Sequence, residues 1–504
     1  MAIPTSKSGI SISRKRWKNY VNDQSANPLR FSKPQSLSEL REILEEARRL
    51  GLKVKAIGSG HSSSDIAISR DWMIDTHALD NIFDNAQLDL NTPGDNLFFV
   101  ECGIRIREVN RELEKRGKAL INMGAYDGQT IAGVISTSTH GSGITLGAFP
   151  DYLRSIFLLA EDGTLHQIER SPGKGISKGP SQIREAGQIN FIQDDDYFFS
   201  AGVSMGCLGI IYAVVIEVTN KYMLEETRHF SKWSQVKKEL QEGKILRDRR
   251  HYEVLVSPYF FSGNDHKCLV TERIISHREY KSPLIPRGHR KILPELFVRI
   301  VPTFIIDFAI RFLINHFPKI IPSFVQTEIT TLTDKGYIDK SYKVLNLGKD
   351  NNLAAYATEI ALPEKRYLDA VEEIIRIVNK SVDEGRQYLT APFSLRFVKC
   401  SPFYLSMQHG DTDEFVCMIE FPTVSKTIGG LELLARIEDA LYRFGGIPHW
   451  GQINHVGGQG QSSVEKLYPR FKDWMRIYKI LASEGRFEND FTHRCGISHF
   501  HDLI

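Results

Sequence analysis

The stretch Ile57-Gly58-Ser59-Gly60-His61-Ser62-Ser63-Ser64-Asp65 constrains this chain more than any other part of it. It follows a short run, Val54 to Ile57, that reads as a strand, and it carries almost no side-chain bulk. Small residues in succession after a strand let several backbone N–H groups converge on one anion, and serine hydroxyls add further donors. A diphosphate suits such a turn. The dinucleotide fingerprint G-x-G-x-x-G is broken, because Ser63 stands at the third glycine position, so the segment is not a Rossmann loop. Taken alone, it also reads as a serine-capped turn with an exposed histidine.

A second segment of the same character begins about 70 residues later, Ile131-Ala132-Gly133-Val134-Ile135-Ser136-Thr137-Ser138-Thr139-His140-Gly141-Ser142-Gly143. It lies inside a longer Gly/Ser/Thr-rich stretch from Gly124 to Gly147. Such backbone approaches a planar ligand closely while donating hydrogen bonds to it. A tight loop inside a core is the weaker reading, since so many hydroxyls would need partners there.

Around these segments helix and strand alternate, as in an α/β or α+β nucleotide-binding domain. Ser36 and Glu39 form a capping-box pattern, apolar residues recur at Leu40, Ile43, Leu44, Ala47 and Leu50, and Gly51 supplies a stop. A strand is expected at Phe98 to Cys102 and a helix at about Arg105 to Arg116. Asp162-Gly163 between two apolar runs signals a hairpin, and Ile210 to Val218 reads as a buried strand. The polar stretch Ser171 to Gly187 reads as a surface insertion. Further on, strands are expected near His251 to Val256 and Leu395 to Val398, with helices near Glu364 to Val378 and Glu465 to Ala482.

A chain of 504 residues exceeds one core and points to two or three packed units. Lys plus Arg is 64 against 61 for Asp plus Glu, a balance that argues against a nucleic-acid binder. Six scattered cysteines with no CxxC pair argue against zinc or a disulfide framework and point to a reducing, cytoplasmic compartment. The N-terminus has no apolar run, and no stretch is long enough to span a bilayer. The segment 281–324 mixes Ile, Leu and Phe with Arg287, Arg290, Lys291, Arg299, Arg311 and Lys319. It reads either as a buried helical pair or as a peripheral contact with an anionic membrane.

The two glycine-and-hydroxyl segments resemble the FAD domain of the vanillyl-alcohol oxidase type, and within it the aldonolactone and alditol oxidase branch. Trp17-Lys18-Asn19-Tyr20, Val203-Ser204-Met205-Gly206-Cys207-Leu208-Gly209-Ile210-Ile211, Pro448-His449-Trp450-Gly451 and Arg486-Phe487-Glu488-Asn489-Asp490 extend the resemblance. It is strong over about 1–220 and 440–495. It implies an α+β fold: a two-subdomain FAD-binding domain of the vanillyl-alcohol oxidase (PCMH) type over 1–225, an α+β substrate (cap) domain built on an antiparallel sheet over 226–448, and a C-terminal segment, 449–504, returning to the first. It implies FAD, joined covalently to His61, and contacts from Ile57, Gly58, Ser59, Gly60, Ser62, Gly124, Gly133, Ser136, Thr139, His140, Gly141, Gly143, Gly209 and Ile211. The implied reaction moves hydride from a carbinol of a polyol, sugar or lactone to the flavin, with O2 as acceptor. Gly124 matches the position where oxidases of the family keep glycine and a dehydrogenase branch has alanine.

Two positions depart from the resemblance. The family's Glu-x-Arg strand reads Ser394-Leu395-Arg396 here, and the Lys after its His-Trp motif reads Gln452. Gln bonds a hydroxyl but neither carries charge nor accepts a proton near neutral pH. Arg396 and Gln452 are then expected to orient the hydroxyl, with His449 or His455 as proton acceptor and Lys399, Tyr404 and His409 as further candidates. Two other readings follow from the same residues: a dehydrogenase passing electrons to a quinone or cytochrome, and a flavin-binding protein with a degenerate site.

Overall fold

A computed structural model describes residues 12–261, 263–278, 303–347, 354–385, 387–457 and 463–498. The helix Leu37–Leu50 shows how local sequence sets an element. The Ser36 side chain accepts from the Glu39 N–H, the Glu39 carboxylate accepts from the Gln35 N–H, and Gly51 closes the helix at φ +65°. Its buried face, Leu37, Leu40, Ile43, Leu44 and Ala47, joins a large core shared by two sheets.

In the first sheet, Val54–Ile57 and Arg30–Ser32 run parallel to Trp72–Asp75 between them, and Ile12–Ser13 adds an antiparallel edge. The second is five-stranded, ordered Asn190–Gln193, Leu165–Glu169, Leu153–Leu159, Ile210–Glu217, Leu97–Glu101. Ile210–Glu217 is buried along almost its whole length, which explains its unbroken apolar sequence. Trp450, Tyr468, Trp474, Tyr478 and Phe491, far along the chain, pack into this same core.

The rest is organised on one antiparallel sheet of eight strands. Its order is Asp334–Lys340, Met223–Lys232, His266–Ser276, His251–Phe260, Phe393–Lys399, Phe415–Val424, Ala355–Pro363, Ile447–Pro448. Side chains alternate across it. Phe393, Leu395 and Phe397 enter an apolar core with the helices Tyr367–Asp383 and Gly430–Tyr442, so Ser394 and Arg396 take the opposite face. The loop after His140 meets this sheet: Gly143 N–H donates to the Phe397 carbonyl, and the Ser142 hydroxyl to that of Tyr252. The architecture is α+β.

Two expectations are corrected, and a third is covered only in part. The helix expected over 465–482 is two, Val464–Leu467 and Phe471–Leu481. Pro469 forces Tyr468 into an extended conformation (φ −118°, ψ 107°) and breaks the helix there. The stretch 171–187 is no mere surface insertion: the Glu169 carboxylate draws it inward, accepting from the N–H groups of Ile176 and Ser177 and from the Ser177 hydroxyl, and Ser177, Ile183 and Ala186 are buried. Of the segment 281–324, residues up to 302 lie outside the described ones. The remainder forms the helix Thr303–His316, the turn Pro318–Ile320 and the start of the helix Ile321–Thr331; Ile314, Ile321 and Val325 are buried, while Phe308, Phe312, Leu313, Phe317, Ile320 and Phe324 are exposed. Among the described residues no helix is long and apolar enough to cross a membrane.

Candidate active site

The strand Val54–Ile57 delivers the chain into the turn at Gly58, where a side chain cannot be placed: a Cβ would stand 2.1 Å from the Thr130 hydroxyl. Thr130 begins the helix Ile131–Ser136, so the two glycine-rich segments of the sequence meet here. Gly209 (φ +154°) is equally constrained, its Cβ position lying 2.7 Å from the Leu159 carbonyl. Between these elements runs a cleft of about 890 Å³, solvent at its mouth included.

Of the expected cofactor residues, Ile57, Gly58, Ser59, Gly60, His61, Ser62, Gly133, Ser136, Gly209 and Ile211 line this cleft, together with Lys55, Thr130 and Met205. None of the backbone N–H groups of residues 58 to 62 donates to a protein acceptor among the described residues. Five consecutive unused donors beside a cleft of small side chains match a nucleotide diphosphate and the body of FAD. Lys55 is buried beneath, donating to the carbonyls of Met205, Gly206 and Phe487.

His61 sits between two tyrosine rings, Tyr20 at 4.3 Å and Tyr126 at 4.4 Å between centroids. Burial lowers its pKa to about 4, so the imidazole is neutral over the physiological range. Gly124, Thr139, His140, Gly141 and Gly143 are not in the cleft lining. Residues 139 to 143 belong to the loop leading to the large sheet, where the His140 Nε2 lies 3.3 Å from a Glu359 carboxylate oxygen, and Gly124 packs against that loop.

On that sheet a compact polar group faces the loop. Glu359, Glu420 and Ser394 are direct cross-strand partners on three adjacent strands. The Arg396 guanidinium is 2.9 Å from Glu420 and 3.9 Å from Glu359. The Gln452 amide donates to Glu420 at 3.0 Å and approaches Glu359 at 3.4 Å. Burial pushes the Glu359 pKa upward, but His140, Arg396 and His449 outweigh it and hold the carboxyl well below the usual range. For Glu420, burial together with the neighbouring Glu359 outweighs Arg396 and Gln452, and its pKa is raised. The carbonyl oxygen of Gln452 and the hydroxyl of Ser394 are buried with no hydrogen-bond partner in this group.

The segment His449 to Gln452 ties this group to the cleft. The Ser63 N–H donates to the Gly451 carbonyl and the Ser64 hydroxyl to that of Trp450, while Gln452 reaches the carboxylates. Of the proton acceptors expected from sequence, neither histidine fits the role. The Nδ1 of His449 accepts from the Gly451 N–H, so the neutral ring offers only an Nε2–H, and burial lowers its pKa to about 4. His455 is bound instead to Glu438. Tyr404 bonds Asp196 and His409 the Phe403 carbonyl, both away from this group. Sequence reasoning missed Glu359 and Glu420, although each is the lone charge in an apolar strand.

A cleft for FAD, tied through residues 449–452 to a charged sheet, defines an FAD-dependent oxidoreductase acting on CH–OH groups, with the fold of the vanillyl-alcohol oxidase type. The model of the D-arabinono-1,4-lactone oxidase family matches residues 214–495, and that of an FAD binding domain matches 28–169. The chain belongs to the D-arabinono-1,4-lactone oxidase family. It is 24% identical over 481 residues to an L-gulono-1,4-lactone dehydrogenase of Mycobacterium tuberculosis, covering 95% of this chain and 98% of that one. It is also 24% identical over 495 residues to the L-gulonolactone oxidase of Mus musculus, with the same coverage. Among solved structures, cholesterol oxidase from B. sterolicum superposes with a TM-score of 0.75 at 13% identity over 98% of both chains. A VAO-type flavoprotein from Myceliophthora thermophila C1 gives 0.60 at 9% identity over 92% of this chain and 78% of that one.

Proposed function

We propose that the chain oxidises a carbinol of a sugar lactone, using FAD linked to His61 and passing the electrons to O2. The observation that carries this is the bridge His449 to Gln452, which joins the His61 loop to the Glu359–Arg396–Glu420 group. The backbone donors of residues 58 to 62 would hold the diphosphate, and a neutral, ring-stacked His61 is suited to bond the flavin. Bound FAD supplies a two-electron acceptor for hydride. Gln452, through its free carbonyl oxygen, accepts a hydrogen bond from a substrate hydroxyl, as does the Ser394 oxygen. Arg396 steadies negative charge that develops on the carbinol oxygen. Two carboxylates beside one guanidinium disfavour a further anion, which favours the neutral lactone over its open-chain acid.

The substrate class also rests on the relatives, whose names specify L-gulono-1,4-lactone and L-gulonolactone. Gly124 supports oxygen as acceptor through the family resemblance. The test is anaerobic mixing of the yellow holoenzyme with L-gulono-1,4-lactone and related polyols, followed by air. Bleaching and recovery within seconds are expected. A reduced flavin that persists for minutes in air identifies a dehydrogenase, and no bleaching with any alcohol identifies a degenerate site.

The exposed ring face of Thr303–His316 and Ile321–Thr331 supports peripheral contact with an anionic bilayer. Residues 281–324 hold seven Lys or Arg against two carboxylates, Glu295 and Asp307, and Phe308 is 69% exposed. Co-sedimentation with phosphatidylserine vesicles but not with phosphatidylcholine ones is expected, and is abolished by F308S/F312S/F317S.

A further inference from the structure

The carboxylate absent from position 394 has a neighbour that stands in the same place. Residues paired directly across antiparallel strands have Cβ atoms roughly 5 Å apart on the same face, and Ser394 is paired with Glu420. Resting on the function proposed above, we infer that Glu420 is the catalytic residue that takes the proton of the substrate hydroxyl, while Glu359 stays as a fixed charge.

The two carboxylates are differently placed for these tasks. Glu359 is almost fully enclosed, its side chain 3% exposed, and is met by His140, Arg396 and Gln452. Glu420 retains 23% exposure. Its charge also acts on Tyr20, whose ring lies on His61. The groups around it are Arg396 on one neighbouring strand, Glu359 on the other, Gln452, His140 and Tyr20. Burial, with the charge of Glu359, raises the Glu420 pKa, while His140, Arg396 and His449 lower that of Glu359. A carboxylate pair with its affinities driven apart divides the work: one member exchanges a proton and the other holds charge. His449 is excluded as acceptor because its Nδ1 already accepts from the Gly451 N–H, and His455 because it is anchored on Glu438 rather than on this group.

In the step, the substrate O–H bond breaks and its proton goes to a Glu420 oxygen. The C–H bond breaks with its electron pair, which bound FAD would accept as hydride, and the freed O–H pair becomes the second bond of C=O. Glu420 returns its proton to solvent when the carbonyl product leaves.

The test uses holoenzyme with L-gulono-1,4-lactone and three variants: E420Q, E359Q and the transfer E420S/S394E. E420Q is expected to lower kcat/KM about 100-fold or more and to remove the acid limb of its pH profile, with FAD content and melting temperature retained. E359Q is expected to keep that limb. The transfer variant is expected to recover at least about tenfold over E420S, because position 394 brings a carboxylate to the same spot. A second readout needs no turnover: the absorbance of bound FAD, titrated without substrate, is expected to show an acid-side transition in wild type and E359Q that is missing in E420Q. Should no lactone or polyol bleach the wild-type flavin, the function proposed above fails, and this titration still decides the ionisation of Glu420. Retention of the limb or of the transition in E420Q, or their loss in E359Q alone, overturns the inference.

Discussion

The rings of His61 and Tyr126 lie face to face, 4.4 Å apart and inclined by 21°. Stacking holds the imidazole in the cleft wall, and burial keeps it neutral down to a pH of about 4. The nucleophilic form of imidazole is the neutral one. Apoprotein mixed with FAD is therefore expected to acquire acid-stable flavin at a rate that is flat above about pH 5 and falls below it. His61→Ala is expected to bind FAD yet release all of it on acid precipitation, seen as a colourless pellet. Tyr126→Leu is expected to slow attachment without preventing it.

Gln452 stands between two carboxylates, donating to one at 3.0 Å and approaching the other at 3.4 Å. Gln452→Lys puts a cation in that position. It is expected to raise the melting temperature and to draw the pKa of Glu420 down. The acid limb of kcat/KM moves to lower pH, and the maximal rate falls because the acceptor is a weaker base. An unmoved limb, measured alongside wild type, contradicts this coupling.

The two halves of the site were unequally legible in sequence. The His61 turn declared itself because it depends on consecutive small residues, a local property that composition reveals. Its meeting with the second segment was legible only through the family resemblance, and the reason for it, the contact of Gly58 with Thr130, is a matter of three-dimensional packing. The carboxylates were hidden for another reason. Glu359, Glu420 and Ser394 are brought into one row by strand register although they lie 26 to 61 residues apart in sequence, and register cannot be read from any one strand. A lone Glu in the apolar run of Phe415–Val424 was the available signal. His449 and His455 drew attention as titratable residues, but each is committed to a local bond that spacing does not reveal. The break at Pro469, by contrast, was readable from the residue itself.

Removing the guanidinium of Arg396 leaves Glu359 and Glu420 side by side. Arg396→Ala is expected to cost on the order of 2–3 kcal/mol near neutral pH, because the carboxylates lose their shared cation while part of the site remains wet. Below the raised pKa of Glu420, protonation relieves the repulsion and the deficit shrinks. Urea unfolding of wild type and variant at several pH values measures both.

A Cβ at Gly124 would lie 3.3 Å from the His140 carbonyl oxygen and 3.4 Å from the Thr139 methyl, close but requiring a shift of only tenths of an ångström. Gly124→Ala is expected to fold, bind FAD and keep its rate of reduction by substrate. Its reoxidation by O2 is expected to slow at least about tenfold, equivalent to about 1.4 kcal/mol in the barrier. Stopped-flow mixing of reduced enzyme with aerated buffer reads this directly.

His449 supplies the last prediction, one of stability. Its pKa is lowered from an ordinary value of about 6.5 to about 4, mainly by burial. Between those two pH values the unfolded chain binds a proton that the folded chain refuses, so the unfolded state gains and stability declines as the pH falls. Above the window the residue makes no pH-dependent contribution, and below about pH 4 its penalty is complete. An asparagine at this position keeps an oxygen acceptor for the Gly451 N–H but has no proton to take up. His449→Asn is therefore expected to lose less stability than wild type between pH 6.5 and 4, in urea titrations of the two proteins followed by tryptophan fluorescence. Parallel losses across that interval would mean that His449 is charged, or free to become so, in the folded protein.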